Sequence, residues 1–260
     1  MSAKIRTTAI SWVLHSLKIV LGDEGIRRYV ILHYHPKLKN KFKKQIRTFD
    51  AFIKRGKTQQ DKKHEIEKYL SSIITLKDTV VFTATNIQRD IFDNETHFQS
   101  YIVDNDNKIV YIIDPAFNKN GTGIYHPEIS IEVIRPFFEK HLYKVEFVKL
   151  SSPAQVNEGD VFCQTWSLLI LLELLEDKKY NDDKEFIIPK KQADKYEMIL
   201  QFYKKIFNEL PDLRDNLKIE YEGEIKDCRG IDCPTTADKI KLLQYDPVQL
   251  LLSMKIPEMK

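Results

Sequence analysis

Glycine is scarce in this chain, with 8 among 260 residues, and no glycine-rich run occurs. That scarcity counts against a parallel dinucleotide-binding sheet and against a P-loop, because both need a glycine turn where backbone N–H groups cradle phosphate. Cysteine is scarcer still, with only Cys163, Cys228 and Cys233. Three thiols cannot build the dense framework of a small secreted scaffold, and an odd number leaves one over. A reducing compartment is therefore the expected home. No apolar run reaches the ~18–20 residues of a membrane span. The longest, Trp166 to Leu175, is interrupted by Ser167 and Glu173 and suits a buried helix. The N-terminus lacks the basic region, clean apolar stretch and cleavage site of a secretory signal. With 42% hydrophobic and 30% charged residues, collagen-like, low-complexity and disordered classes are excluded as well. The expectation is a soluble intracellular protein with a sizeable core.

The net charge of +3 hides an asymmetry. Residues 1–70 carry 17 Lys and Arg against 6 Asp and Glu, or +11, whereas the remainder carries 24 against 32, or −8. A basic head on an acidic body fits an interaction surface for nucleic acid, an anionic lipid face or an acidic partner. It fits a solvated helical arm equally well.

Apolar spacing at Ile10, Val13, Leu14, Leu17, Val20 and Leu21 predicts helix over 4–35. The Lys-rich stretch 37–63, with Phe42, Phe49 and Phe52, predicts a basic amphipathic helix ending in a polar linker from Gly56 to Lys63. Helix is expected again over 62–74. The pattern then turns β-rich. Thr79–Ala84 reads as a strand, and Phe98–Val103 and Lys108–Ile113 read as an antiparallel hairpin around the turn Asp104–Asn107. Helix is predicted over 127–141 and strand over 143–150. A loop follows at 151–159, then an apolar helix from about Val161 to Leu175, helix over 190–210 and one more near 237–254. The order predicts an α+β fold with a central mixed sheet packed on an apolar helix. It also divides the chain into a basic helical arm (1–75), a core (76–210) and a C-terminal helical extension packed on that core (211–260).

Four residues of the middle segment form a chemical constellation. His97 is expected at the start of the hairpin's first strand and Asp114 at the end of its second, where Pro115 terminates pairing. In such a hairpin these two positions lie side by side, so the carboxylate can bond one imidazole nitrogen and leave the other as a base. Asp160 reads as the N-cap of a helix beginning at Val161, which puts Cys163 in its first turn. There the helix dipole favours a thiolate. Gln155, in the loop ahead, can offer its amide to a developing oxyanion together with N–H groups at the helix start. Other candidates are poorer. His33-Tyr-His35 has no companion Cys or carboxylate cluster, and Cys228-x₄-Cys233 has no second ligand pair for zinc. Paired thiols in a loop, or two unrelated cysteines, are expected there.

The order His97, Asp114, Gln155, Cys163 resembles the clan of cysteine proteases that includes adenovirus protease (adenain) and the SUMO-type ubiquitin-like-protein proteases. The stretches that carry the resemblance are His97-Phe-Gln-Ser-Tyr-Ile-Val-Asp104, Ile112-Ile-Asp-Pro115 and Gln155-Val-Asn-Glu-Gly-Asp-Val-Phe-Cys-Gln-Thr-Trp166. The wording around Cys163 looks most like proteins of large cytoplasmic DNA viruses. Phe98 stands where members usually carry Trp. Gln155 lies further ahead of Cys163 than in most members, and Asn157 is the alternative donor. The resemblance implies an adenain-type protease core in which Cys163 is nucleophile, His97 base and acid, Asp114 the orienter of His97 and Gln155 the oxyanion donor. It implies no cofactor or metal. The implied substrate is a protein, either a viral precursor or a ubiquitin-like conjugate, met in the host cytoplasm or the virion. A structural or interaction protein of the virion that kept the fold is the competing reading, and acyl transfer by the same residues is a third.

The basic head generates its own test. Seventeen cations interleaved with phenylalanines are expected to bind phosphate backbones weakly, without sequence preference and with steep salt dependence. Titration of fluorescent DNA against the full chain, and against a chain lacking residues 1–70, should show binding at low salt that disappears with the truncation. Binding that survives truncation, or is absent at low salt, leaves this segment as scaffold.

Overall fold

A computed structural model of the chain describes residues 30, 47–48, 59–77, 79–89, 94–116, 129–155, 162–176, 180, 184–230 and 233–253. The predicted helix over 4–35 therefore lies outside the described residues except at Val30, which is helical. The described chain forms two compact units, one within residues 31–189 and the other comprising 190–253 with Val30.

The first unit is built on a five-stranded sheet of order β1 (Arg47–Thr48), β2 (Thr79–Arg89), β3 (Asn94–Asp104), β4 (Ile109–Ile113) and β5 (Lys144–Phe147). The two central junctions, β2–β3 and β3–β4, are antiparallel, and the outer pairs β1–β2 and β4–β5 are parallel. The fold is thus α+β with a mixed sheet. Arg47 and Thr48, expected in a basic helix, instead pair with Phe82 and Thr83. The long strand β2 offers them a hydrogen-bonding edge that the local composition does not announce. Helix α1 (Gln59–Ile74) starts within the expected linker.

Strands β2 and β3 both run further than their apolar alternation predicts. Their register extends from Thr79↔Asp104 to Arg89↔Asn94, so polar residues of each are held by ladder bonds to the other. At the opposite end, the turn between β3 and β4 closes on Asp104. Its carboxylate accepts from the Asn107 backbone N–H at 3.0 Å and from Asn107 Nδ2 at 2.9 Å. Lys108 completes the turn at φ 55°.

Strand alternation sorts the core into two layers. On one face Val80, Phe82, Ala84, Tyr101, Val103, Val110 and Ile112 pack with Ile66, Leu70 and Ile73 of α1. Ile134, Phe137 and Phe138 join the same cluster. They come from a π-helical turn (Ile129–Ile134) that runs into α2 (Arg135–Lys140), where a single α-helix was expected. Pro136, which has no N–H to donate, sits where the winding changes. The other layer is α3 (Cys163–Leu175), packed against β3 and β4. It is buried from Cys163 through Trp166, Leu168, Ile170 and Leu171 to Leu175, with only Gln164 and Glu173 half-buried. The Ser167 hydroxyl donates to the Phe98 carbonyl at 3.0 Å, which fixes the helix along β3.

The second unit contains α4 (Gln192–Glu209), α5 (Pro211–Asp227), α6 (Thr236–Leu242) and α7 (Pro247–Ser253). Leu210 ends α4 and begins α5, with Pro211 pre-set for a first turn. The single helix expected near 237–254 is split in two. Asp246 accepts from the backbone N–H groups of Val248 and Gln249 at 2.8 and 3.2 Å, and so caps α7 just before Pro247. Cys228 and Cys233 are joined in a disulfide, which corrects the expectation of thiols or unrelated cysteines. Among the described residues, no helix is long and apolar enough to cross a membrane.

Trp166 is completely buried on the central helix. Trp166→Ala should destabilise the protein by about 3–5 kcal/mol through lost burial and the cavity left behind. Urea unfolding measures this directly, and a loss below about 1 kcal/mol would place α3 at the periphery of the core.

Candidate active site

β4 stops at Ile113, opposite Ser100, while β3 continues to Asn94 on its pairing with β2 alone. A step is left beside β3, and His97 lies in it. The imidazole is therefore within a strand, paired with Asn86, and not at a strand start as expected from the apolar run alone. Asp114 follows the last residue of β4 and shares the face of Val110 and Ile112 by alternation.

His97 Nε2 lies 2.7 Å from Asp114 Oδ1, and both side chains are 1% exposed. The same oxygen accepts the Ala116 backbone N–H at 2.9 Å, and Oδ2 accepts from Gln99 Nε2 at 2.7 Å. Three donors thus satisfy a buried carboxylate, which compensates for its removal from water. Cys163 acts on the same ring through its charge and hydrogen bonding, and both favour the protonated imidazole. With Nε2 engaged by the carboxylate, Nδ1 is the ring nitrogen left to serve Cys163.

The electrostatics of the imidazole follow from this arrangement. Burial acts to lower its pKa, but the Asp114 charge and hydrogen bond oppose it, assisted by the hydrogen bond and charge of Cys163. The net effect raises the pKa from 6.5 to about 9. His97 is accordingly protonated at neutral pH.

Cys163 is the first residue of α3, with Phe162 at the N-cap position. The expected N-cap, Asp160, lies outside the described residues; the cap at Phe162 places the helix start later than Val161. The first intrahelical bond runs from Trp166 N–H to the Phe162 carbonyl at 2.9 Å, so the N–H groups of Cys163, Gln164 and Thr165 lie in the first turn, ahead of the intrahelical ladder. Of the three cysteines, Cys163 alone carries a thiol. It is 6% exposed.

Gln155 is 3% exposed, and its backbone N–H donates to the Pro115 carbonyl at 2.9 Å. That bond ties the loop ahead of α3 to the residue after Asp114. Asn157 lies outside the described residues. Two further members of the site, Gln99 and Tyr101, escape a motif-based reading. The signal was present as a period-two polar pattern, His97, Gln99, Tyr101, on a strand otherwise buried. Phe98, between them, is buried on the opposite face. Among the described residues, no group of three or more His, Cys, Asp or Glu side chains could hold a metal ion.

No protein-family model matches the chain, and no curated protein matches it in sequence. Solved structures similar to it include ChlaDub1 from Chlamydia trachomatis, at 13% identity and a TM-score of 0.46, covering 74% of this chain and 95% of that one. The SUMO protease Ulp1 is similar at 12% identity and a TM-score of 0.41, over 84% of this chain and 97% of that one. The Legionella pneumophila effector protein RavZ is similar at 11% identity and a TM-score of 0.40, over 77% and 63%.

The raised His97 pKa has a thermodynamic consequence. A folded value above the unfolded one means that the pair's contribution to stability is fully present below pH 6.5 and is lost as pH rises through about 9. Between these limits, Tm should fall more steeply for the wild type than for Asp114→Asn. In that variant the imidazole, buried without its countercharge, should titrate well below 9, as read by NMR of the ring. An unchanged His97 titration would sever the link to Asp114.

Proposed function

We propose that this protein is a cysteine hydrolase that cleaves peptide or isopeptide bonds in protein substrates. One observation carries the reading: an imidazole and a carboxylate are buried together 2.7 Å apart, and a single thiol at the first residue of a buried helix acts electrostatically on that imidazole. A buried ion pair is a costly way to hold a scaffold together, since apolar residues of similar volume do as well or better. Its presence here fits chemistry.

In this mechanism the Cys163 thiolate, paired with the His97 imidazolium, attacks the substrate carbonyl carbon. The developing oxyanion is held by the Gln155 side-chain amide and by first-turn N–H groups of α3. His97 then gives its proton to the leaving amine, the C–N bond breaks and a thioester to Cys163 remains. A water molecule, losing its proton to His97, attacks the thioester and releases the carboxylate product and the thiolate. Asp114 holds the ring with Nδ1 toward sulfur throughout and remains ionised. The resemblance in sequence supports a precursor polypeptide or a ubiquitin-like conjugate as substrate, and the wording around Cys163 favours the viral precursor.

Cys163→Ala should abolish hydrolysis and leave the unfolding transition in place, because alanine suits a helix first turn and only the sulfur is lost. Intact-mass measurement with a vinyl-sulfone probe should show one adduct at mildly acidic pH, carried by Cys163 and absent from the alanine variant. Absence of that adduct at mildly acidic pH contradicts the ion pair.

A further inference from the structure

Behind the His97–Asp114 pair runs a second, directed chain of hydrogen bonds. Tyr101 Oη donates to Gln99 Oε1 at 2.8 Å, and Gln99 Nε2 donates to Asp114 Oδ2 at 2.7 Å. Gln99 and Tyr101 are completely buried, and His97 and Asp114 nearly so. Chemistry sets the direction. An ionised carboxylate only accepts, so the amide must turn its NH₂ toward Asp114; its oxygen then needs a donor, which the tyrosine hydroxyl supplies. Strand periodicity supplies the placement, because residues 97, 99 and 101 share one face of β3.

We propose that Gln99, anchored by Tyr101, is a positioning residue that sets the plane of the Asp114 carboxylate and thereby the aim of His97 at Cys163. The inference rests on the hydrolase reading above, yet Gln99 acts only through Asp114. Its role follows from how the donors are divided. His97 and Ala116 both use Oδ1, so Gln99 is the side chain that holds Oδ2. Without it a buried carboxylate oxygen loses its donor, and the group gains by rotating about χ2 to share Oδ1's partners. Rotation draws Nε2 out of line and swings Nδ1 away from the sulfur. An apolar residue would fill position 99 with less desolvation, so a fully paired buried amide marks a requirement for orientation.

The experiment measures the rate of iodoacetamide alkylation of Cys163 by intact mass between pH 4 and 10, which needs no substrate because the other two cysteines are joined. Gln99→Leu should slow alkylation at neutral pH by about tenfold to a hundredfold, the cost of a misplaced reacting group. Tyr101→Phe keeps the ring stacked on Phe82 at 4.5 Å and should give a smaller loss in the same direction. Gln99→Glu gives the most telling readout. While the two neighbouring carboxyls share a proton, Glu donates as the amide did and the rate should match wild type. Once that proton leaves, two carboxylates face each other and the rate should fall. A packing role cannot produce a rescue that depends on pH. Thermal melts report folding, and should Gln99→Leu fail to fold, the other two variants decide. Wild-type rates and pH profiles in both Tyr101→Phe and Gln99→Glu overturn the positioning role. A wild-type Cys163 that resists alkylation at neutral pH overturns the hydrolase reading itself, which separates the two failures.

Discussion

An imidazole and a carboxylate buried together, 2.7 Å apart, set the conditions that the surrounding structure has to meet. Taking either charge from water costs several kcal/mol, and the mutual attraction offsets this only where the remaining lone pairs are also satisfied. The Ala116 N–H and the Gln99 amide meet that demand, and each imposes a constraint on the chain. The first needs the chain to turn sharply after Asp114, which the end of β4 at Ile113 permits. The second needs β3 to run past β4, so that alternate residues of one strand reach the carboxylate from the side. The step in the sheet is therefore part of the site's chemistry as well as of its shape.

Helix α3 answers a different demand. In the proposed mechanism Cys163 is the nucleophile and must be held to within a fraction of an ångström, and a helix end is only as steady as the packing of its body. Here the body is almost entirely enclosed: apart from the half-buried Gln164 and Glu173, every residue from Cys163 to Leu175 is buried. Ser167 is bonded to the carbonyl of Phe98, the residue next to His97. The Gln155–Pro115 bond links the loop ahead of the helix to the other half of the pair. Thiol, imidazole and carboxylate thus belong to three segments that are bonded to one another near the residues that matter.

The C-terminal unit is governed by more local rules. Its helix ends coincide with Pro211, with the Thr235 side chain accepting from Asp238 N–H, and with the Asp246 cap before Pro247. Asp246 is drawn below its ordinary pKa: burial opposes this, but the N–H groups of Gln249 and Val248 and the side chain of Arg214 prevail. The Tyr221 hydroxyl is pushed upward by burial and by Tyr245, and it donates to the Leu242 carbonyl between α5 and α6.

Much of the sheet and the candidate site was legible in the residues alone, because the relevant relations were short in sequence. A hairpin with a four-residue Asp–Asn turn brings residues seventeen apart to one edge, whatever the rest of the chain does. The run from Trp166 to Leu175 is too apolar to be anything but a core helix. Local chemistry also determined where Pro247 would interrupt a helix, although apolar spacing concealed it. Tertiary structure decided the rest. Parallel pairing of Arg47–Thr48 depends on an edge offered by residues far along the chain. The full length of β2 and β3 depends on each strand having the other, since polar residues gain strand structure from ladder bonds and not from their own propensity. Whether Cys228 and Cys233 meet is a matter of backbone distance that spacing cannot supply. The raised pKa of His97 belongs to the same class: burial lowers it, the charge and hydrogen bond of Asp114 and the sulfur of Cys163 prevail, and all of these exist only once the chain has folded.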